Sequence, residues 1–407
     1  MTSLRAAGRG SARDLAGMRY EHLRVLLEDE NQWGMLAHAA TLLARGEVPQ
    51  EITEALALGR LTAFRKSNGK VRGIVTSSIF RRLVAKTLAA QFGEAIMAAT
   101  APYQFALQTR AGTDTVGHAL RLLSDLNPDM VIVSLDGLGA YDHVKRSAMF
   151  QKLLAVPALH GLIPFVRTWY SRQSHFLWSD DAGTVHDVMQ GEGGEQGDPL
   201  MPALFALAQH DALHRAKRQL HESDTIFAFL DDLYLFTSRE RAKGAFDTVT
   251  EEVSTGAGVR THLGNLRLWS KAGGECPPGF EQFGAKVWAG GAEPAERGVK
   301  ILGTPLGHPE FVAAHAAERM AEEKSFLDKL FDVPDLQVAW LLLLFCGVPR
   351  ANHLLRVLPP SAAASYARDH DRALWECLCS LLGAANHEAD KLAWGTATLP
   401  LRKVAWG

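Results

Sequence analysis

Two stretches decide the fold: Met130-Val131-Ile132-Val133-Ser134-Leu135-Asp136, with Gly137-Leu138-Gly139-Ala140-Tyr141-Asp142 behind it, and Ile226-Phe227-Ala228-Phe229-Leu230-Asp231-Asp232-Leu233-Tyr234-Leu235-Phe236. Both are short, nearly continuous apolar runs rich in β-branched and aromatic residues, the pattern of a strand covered on both faces. The first run stops at Asp136. The second is interrupted only by Asp231-Asp232, which predicts a tight hairpin, Ile226–Leu230 against Leu233–Phe236, with both acids at its tip. Behind the first strand, Asp142 suits the N-cap of a helix running from His143 to about Val156.

If the two strands are neighbours, three carboxylates meet. Unit charges about 4 Å apart repel by roughly 4 kcal/mol at an effective dielectric of 20, so such a cluster calls for a cation, and oxygen donors suit Mg²⁺. Taken alone, Asp231-Asp232 reads better as turn chemistry than as a metal site, because Asp tolerates turn conformations.

Outward from these strands, Leu61 to Val75 reads as a hairpin broken by Ser67-Asn68-Gly69. It lies in a stretch from Arg60 to Lys86 that holds Arg60, Arg65, Lys66, Lys70, Arg72, Arg81, Arg82 and Lys86 and no acid. Two readings stand level on charge alone: a solvated basic face, or a surface for phosphates whose direction is set by interleaved apolar residues. Helical patterns cover Glu21 to Arg45 and Arg82 to Ala99. After Pro309 the chain is mostly helical.

Composition bounds the remainder. The chain has 407 residues, 47% of them hydrophobic and 22% charged, with a formal net charge of −2. That is a globular protein whose surface as a whole does not grip nucleic acid. The longest uninterrupted apolar run, Val338 to Val348, falls short of the roughly 18 residues of a membrane span, so no membrane partner is expected. Cys276, Cys346, Cys377 and Cys379 are too few and too clustered to staple a chain of this size, and the Arg-containing N-terminus lacks the apolar core of a secretory signal. An intracellular location is the expectation.

Read in order, the segments Leu61 to Ile74, Phe80 to Lys86, Asp136 to Asp142, Gly194-Glu195-Gln196-Gly197-Asp198-Pro199 to Phe205, Phe229 to Asp232 and Leu302-Gly303-Thr304-Pro305-Leu306-Gly307 resemble the ordered motifs of reverse transcriptases, most closely those of non-LTR (LINE-like) retrotransposons. The resemblance runs from about Gly17 to the C-terminus. It implies an α+β fold of the right-hand polymerase type. Residues 1–128 would be fingers and N-terminal helices. Residues 129–308 would be a palm with a mainly antiparallel sheet, part of the fingers lying between Phe150 and Gln190. Residues 309–407 would be a helical thumb and the start of a C-terminal region. The implied reaction is RNA-directed DNA synthesis from dNTPs onto a DNA primer along an RNA template, by a fragment of a larger element protein. The nucleus is the expected location, and oligomeric state is left open.

The resemblance also implies roles. Asp136, Asp231 and Asp232 would hold two Mg²⁺ ions, with Mn²⁺ as a substitute. Lys66 and Arg72 would clamp the triphosphate, Tyr141 would block a ribose 2′-hydroxyl, and Gln196 and Gly197 would meet the incoming nucleotide and template. Asp198 and Pro199 would cap the following helix. Leu302, Gly303 and Gly307 would form the primer grip. Three positions depart from the family pattern: Asn265 stands where Lys often serves as general acid, Gly73 where proline is frequent, and Met201 where serine is frequent.

Two rival readings follow from other features. A decayed reverse-transcriptase-like module would keep RNA binding and lose turnover through Asn265. Separately, His210-Asp211-Ala212-Leu213-His214 places two histidines one helical turn apart, as in zinc metallopeptidases, but with Asp in place of Glu and no third ligand. A polymerase that makes RNA on RNA is disfavoured by Tyr141.

Overall fold

The computed structural model describes residues 2–65, 69, 71–383 and 395. The fold is α+β, as expected. The chain forms two compact units, one of Met1–Thr113, Met130–Arg267 and Pro277–Val287, the other of Asp114–Asp129, Leu268–Cys276 and Trp288–Gly407.

In the first unit, β1 (Gly59–Arg65) and β2 (Val71–Thr76) form the predicted basic hairpin, with Phe64 opposite Arg72 and Arg65 opposite Val71. Then come β3 (Val131–Asp136), β4 (Ser174–Ser179), β5 (Val185–Gln190), β6 (Thr225–Phe229) and β7 (Asp232–Thr237). One sheet has the order β2-β1-β4-β5, with only the β1–β4 pairing parallel. In the other, β7 lies between β6 and β3 and is antiparallel to both.

The all-apolar character of β3 has a plain cause: Val131, Ile132 and Val133 are wholly buried and Leu135 nearly so. Each such side chain contributes about 1.5–3 kcal/mol by leaving water, so the strand that ends in Asp136 is firmly anchored. The helix Met201–Gln219 buries eleven residues, among them Leu204, Phe205 and Leu207, and packs against the helices Arg146–Ala155 and Ala242–Ala257.

Several helices are shorter than their patterns suggest. The stretch from Glu21 to Arg45 breaks at Asp29, whose carboxylate accepts from the backbone N–H groups of Asn31 and Gln32 and starts a new helix, Glu30–Ala44. The stretch beginning near Arg82 divides at Phe92 into Ile79–Gln91 and Gly93–Thr100.

In the second unit, Gly298–Ile301 and Thr304–Gly307 pair antiparallel across a two-residue turn, Leu302-Gly303, in which both residues have positive φ. The helices Pro309–Asp328 and Pro360–Leu381 share a core with Leu343, Leu354 and Val357. The segment Leu336–Val357 corrects the expectation that no stretch is long enough to span a membrane: it is long and apolar enough by length and composition. The uninterrupted run ends at Val348, but helical backbone continues past Pro349, Arg350 and His353. It is broken into α, π, 3₁₀ and α pieces, and Leu343, Ala351, Leu354 and Val357 point into the protein core. All four cysteines are free thiols.

Candidate active site

Asp136 is the last residue of β3 and Asp232 the first of β7, and the register sets them directly opposite each other. Asp231 occupies the two-residue tip between β6 and β7, behind Leu230, which has a φ of +55°. A leucine in that left-handed region is strained. It is held there because its N–H donates to Gln104 Oε1 at 2.8 Å, and Gln104 is itself fixed by an extended segment, Tyr103 to Phe105, hydrogen-bonded along β6 through Ala228. The N–H of Gly137 then donates to the carbonyl of Asp231 at 3.2 Å, tying the two acidic loops together. A Cβ at Gly137 would lie 3.0 Å from Val259 Cγ1 and 3.3 Å from Asp231 Cβ, so the close approach favours glycine.

All three carboxylates are half-buried. Burial, with the charges of Asp231 and Asp136 added to it, pushes the Asp232 carboxyl up to about 7. Among the described residues no three His, Cys, Asp or Glu side chains close into a ready-made cage. The donor set is nonetheless what a hard dication takes: carboxylate oxygens alone, repelling one another, on two rigid strand ends. The residues fit the metal that the sequence implies.

Tyr141 lies in a short helical turn, Ala140–His143, with its ring edge-on to Phe205 at 5.3 Å between centroids. Burial, and then the nearby Asp231 charge, raise its hydroxyl pKa, so the phenol stays neutral. Gln196 Nε2 donates to Asp142 Oδ2 at 3.4 Å. Asp142 is raised by desolvation, with His143, the Gln196 bond and the Arg72 charge pulling the other way. Arg72 is exposed on β2, and its charge reaches Asp142. Gly194 donates to the Tyr141 carbonyl at 2.7 Å, and Gly193 to that of Val144 at 2.9 Å. At Gly197 a Cβ would come within 1.9 Å of the Val75 carbonyl oxygen, so this loop lies flat on β2. Lys66 lies outside the described residues. Leu302, Gly303 and Gly307 form the hairpin of the second unit.

Other expectations need correction. Asp142 is not an N-cap: it sits inside the Ala140–His143 turn, and the next helix, Arg146–Ala155, starts after Lys145 because Gly139, at a φ of +55°, lets the chain turn early. Asp198 and Pro199 do not start the following helix, which begins at Met201. Asp198 Oδ1 instead accepts from the Leu200 N–H at 2.9 Å, and its other oxygen faces the interior. Among the described residues no metal-holding group includes His210 and His214, and three of their four ring nitrogens meet other partners. His210 Nε2 meets the Ala101 carbonyl at 2.9 Å, His210 Nδ1 lies 3.1 Å from Lys152 Nζ, and His214 Nδ1 is 3.3 Å from the Tyr103 hydroxyl. The basic stretch is not one surface, because Arg81 is buried. The sequence reading missed three contacts: Gln104 on the acidic hairpin, Arg81 behind the Gln196 loop, and Asn265, whose Nδ2 donates to Asp136 Oδ2 at 2.6 Å.

Residues 64–267 match the family described as Reverse transcriptase (RNA-dependent DNA polymerase). Over 369 residues, 87% of this chain, the sequence is 22% identical to the Retrotransposable element SLACS 132 kDa protein of Trypanosoma brucei gambiense. Over 110 residues, 26% of this chain, it is 28% identical to the Retrovirus-related Pol polyprotein from type-2 retrotransposable element R2DM of Drosophila melanogaster. The chain spans 29% and 10% of the lengths of those two relatives. Among solved structures, a telomerase from Candida albicans in complex with a fragment of telomeric RNA aligns with a TM-score of 0.46 and 11% identity, covering 88% of this chain and 65% of that one. Apo telomerase from Candida tropicalis aligns with a TM-score of 0.37 and 14% identity, covering 50% of this chain and 48% of that one.

Proposed function

The chain belongs to the reverse transcriptase family, and from that premise we propose that it is of the retrotransposon kind and that the corner at Asp136, Asp231 and Asp232 extends a DNA primer along an RNA template. The reading rests on one observation: Asp136 and Asp232 are cross-strand partners, with Asp231 beside them, in a half-buried cluster where burial first, and then the charges of Asp231 and Asp136, raise the Asp232 carboxyl to about 7.

Members of this family use divalent metal ions. Here Asp136, Asp231 and Asp232 would hold two Mg²⁺, which supply charge neutralisation at the primer 3′-hydroxyl and at the triphosphate. The chain's own residues do the rest. Arg72 draws the triphosphate by charge and forked donors, and the sequence resemblance gives Lys66 the same task. Gln196 and the bare backbone at Gly197 meet the nucleotide and the template base. The Tyr141 ring, stiffened by Phe205, stands where a 2′-hydroxyl would go, which selects dNTPs. The Leu302 to Gly307 hairpin supports the primer end. In this reading residues 1–128 act as fingers, 129–308 as palm and 309–407 as thumb, and the protein works in the nucleus, where primer DNA is found.

The deciding experiment is extension of a labelled DNA primer on an RNA template by the full chain, with Mg²⁺ and with chelator. Extension with dNTPs that vanishes on chelation supports the reading. RNA retention without extension would assign the chain to the second reading, a binding module, which the non-ionisable Asn265 favours.

A further inference from the structure

Arg81 lies on the helix Ile79–Gln91, on the same stripe as Val84, Ala85 and Leu88, and its side chain is 1% exposed. Its Nη1 donates to Glu195 Oε1 at 2.8 Å and its Nη2 to Asp198 Oδ2 at 3.4 Å. Both carboxylates are as deeply buried as the guanidinium. These two acids bracket Gln196-Gly197, so one planar fork grips the residue before that dipeptide and the residue after it.

The surroundings close around this grip. The Tyr170 hydroxyl donates to the same Asp198 oxygen at 2.7 Å, and the Trp169 ring centroid lies 4.4 Å from Arg81 Cζ. Arg146 supplies a second buried cation. Its Nε donates to the Gly193 carbonyl at 2.8 Å, and its Nη2 donates to Ser174 Oγ at 2.9 Å and to the Gln190 carbonyl at 3.2 Å. Arg146 thus holds the start of the loop through backbone carbonyls, while Arg81 bridges the two carboxylates. On its other side the loop is flattened against the Val75 carbonyl of β2, the strand that carries Arg72.

We infer that Arg81 is the positioning residue of the Gln196-Gly197 loop: it sets that loop's height and angle over β2, and with them the fit of the incoming nucleotide. This rests on the proposed role of Gln196 and Gly197 and deepens it. If stability alone were served, well-packed apolar residues would do as well as a buried ion pair. Both acids lie within four residues of one loop, and only a fork with several donors in fixed geometry reaches both ends, which lysine cannot reproduce.

The test compares the full chain with Arg81→Gln, Arg81→Lys and the triple variant Arg81→Met/Glu195→Gln/Asp198→Asn, which removes Arg81 together with both of its partners and leaves the Arg146 bonds in place, each checked for folding by circular dichroism. Hydrogen exchange of residues 191–200 is read without substrates, and dNTP titrations of primer extension are read with them. Exchange at 191–200 should quicken by about tenfold in Arg81→Gln, with β3 and β7 unchanged, and KM for dNTP should rise about tenfold with kcat within about threefold. Template affinity should hold. Arg81→Lys should fall between, and the triple variant should fold normally yet keep the raised KM. If Arg81→Gln unfolds, the triple variant decides by the same two readings. Unchanged exchange in a folded variant overturns the inference, and so does a parallel loss of dNTP and template affinity. If the unmodified chain extends no primer, the proposed function fails, and the exchange measurement alone decides the role of Arg81.

Discussion

Asn265 donates its side-chain amide to Oδ2 of Asp136 at 2.6 Å, so the residue that the sequence resemblance sets where relatives often carry a lysine touches an acid of the proposed site directly. It is exposed, at the end of a 3₁₀ turn, Leu263–Asn265, that is itself tied down where His262 N–H donates to the Asp136 carbonyl at 2.8 Å.

An amide in this place can orient a carboxylate but cannot give up a proton. Asn265→Ala should therefore raise the Mg²⁺ concentration for half-maximal extension about tenfold, the usual scale for losing a partner behind a metal ligand. Asn265→Lys should raise kcat about tenfold, the low end for a positioned general acid whose work solvent partly does. Mg²⁺ titrations of primer extension separate the two effects, and an unchanged Mg²⁺ requirement in Asn265→Ala would remove the orienting role.

In the proposed reading Tyr141 acts by its ring and not by its hydroxyl, which burial and Asp231 keep protonated. Tyr141→Phe should keep the preference for dNTPs over rNTPs. Tyr141→Ala should lower it by at least about tenfold, and also lose roughly 3 kcal/mol of stability from the gap left beside Phe205. Competing dNTP and rNTP incorporation, together with denaturant melts, reads both. Equal preference in the unmodified chain would return the RNA-making polymerase to favour.

The three acids are legible in the sequence because each sits where an apolar run stops, and strand ends are fixed by the same burial that makes the run apolar. Helix starts are less legible, because Asp142 and Asp198 carry the right chemistry for a cap and spend it elsewhere, on Gln196 and on the interior. Arg81 left a signal that charge counting hides: positions 81, 84, 85 and 88 share one helical stripe, and a lone arginine on an apolar stripe needs a buried anion. The Asn265 contact has no such signature, since it joins residues 129 positions apart through a turn that the local sequence does not specify.

The C-terminal helices carry a titratable lock. Glu323 is 1% exposed and accepts from His370 Nδ1 at 2.7 Å and from the Tyr366 hydroxyl. Burial works against both charges, yet the mutual bond and the Tyr366 hydroxyl leave Glu323 below its ordinary 4.5, and Glu323 holds His370 above its ordinary 6.5. The glutamate's contribution is present above pH 4.5 and lost as pH falls through its lowered value. The histidine's is present below pH 6.5 and lost as pH rises through its raised value. Thermal melts of the full chain should peak in stability between those limits and decline above 6.5. His370→Gln should lessen the alkaline decline and leave the part that Asp232 contributes, and an undiminished decline in that variant would place its cause elsewhere.

Asp232 sets function against stability. Its folded carboxyl, near 7 against an ordinary 3.8, binds a proton more tightly than in the unfolded chain, so its stabilising effect is full below pH 3.8 and lost as pH rises through about 7. Above that the ionised group faces Asp136 and Asp231 at a cost to the fold. Asp232→Asn removes the repulsion with a side chain of the same shape. With chelator at pH 8, the variant should melt about 2–4 °C above the unmodified chain, and its melting point should fall less between pH 6 and 8 than that of the unmodified chain, the remaining fall being the His370 contribution. The same change takes away a hard oxygen ligand and one negative charge from a site meant to hold two dications beside a polyanion. Primer extension should fall to background while RNA retention stays. Extension that survives Asp232→Asn would refute the assignment of this acid, and a lower melting point would mean that its neighbours hold it through bonds an amide cannot make.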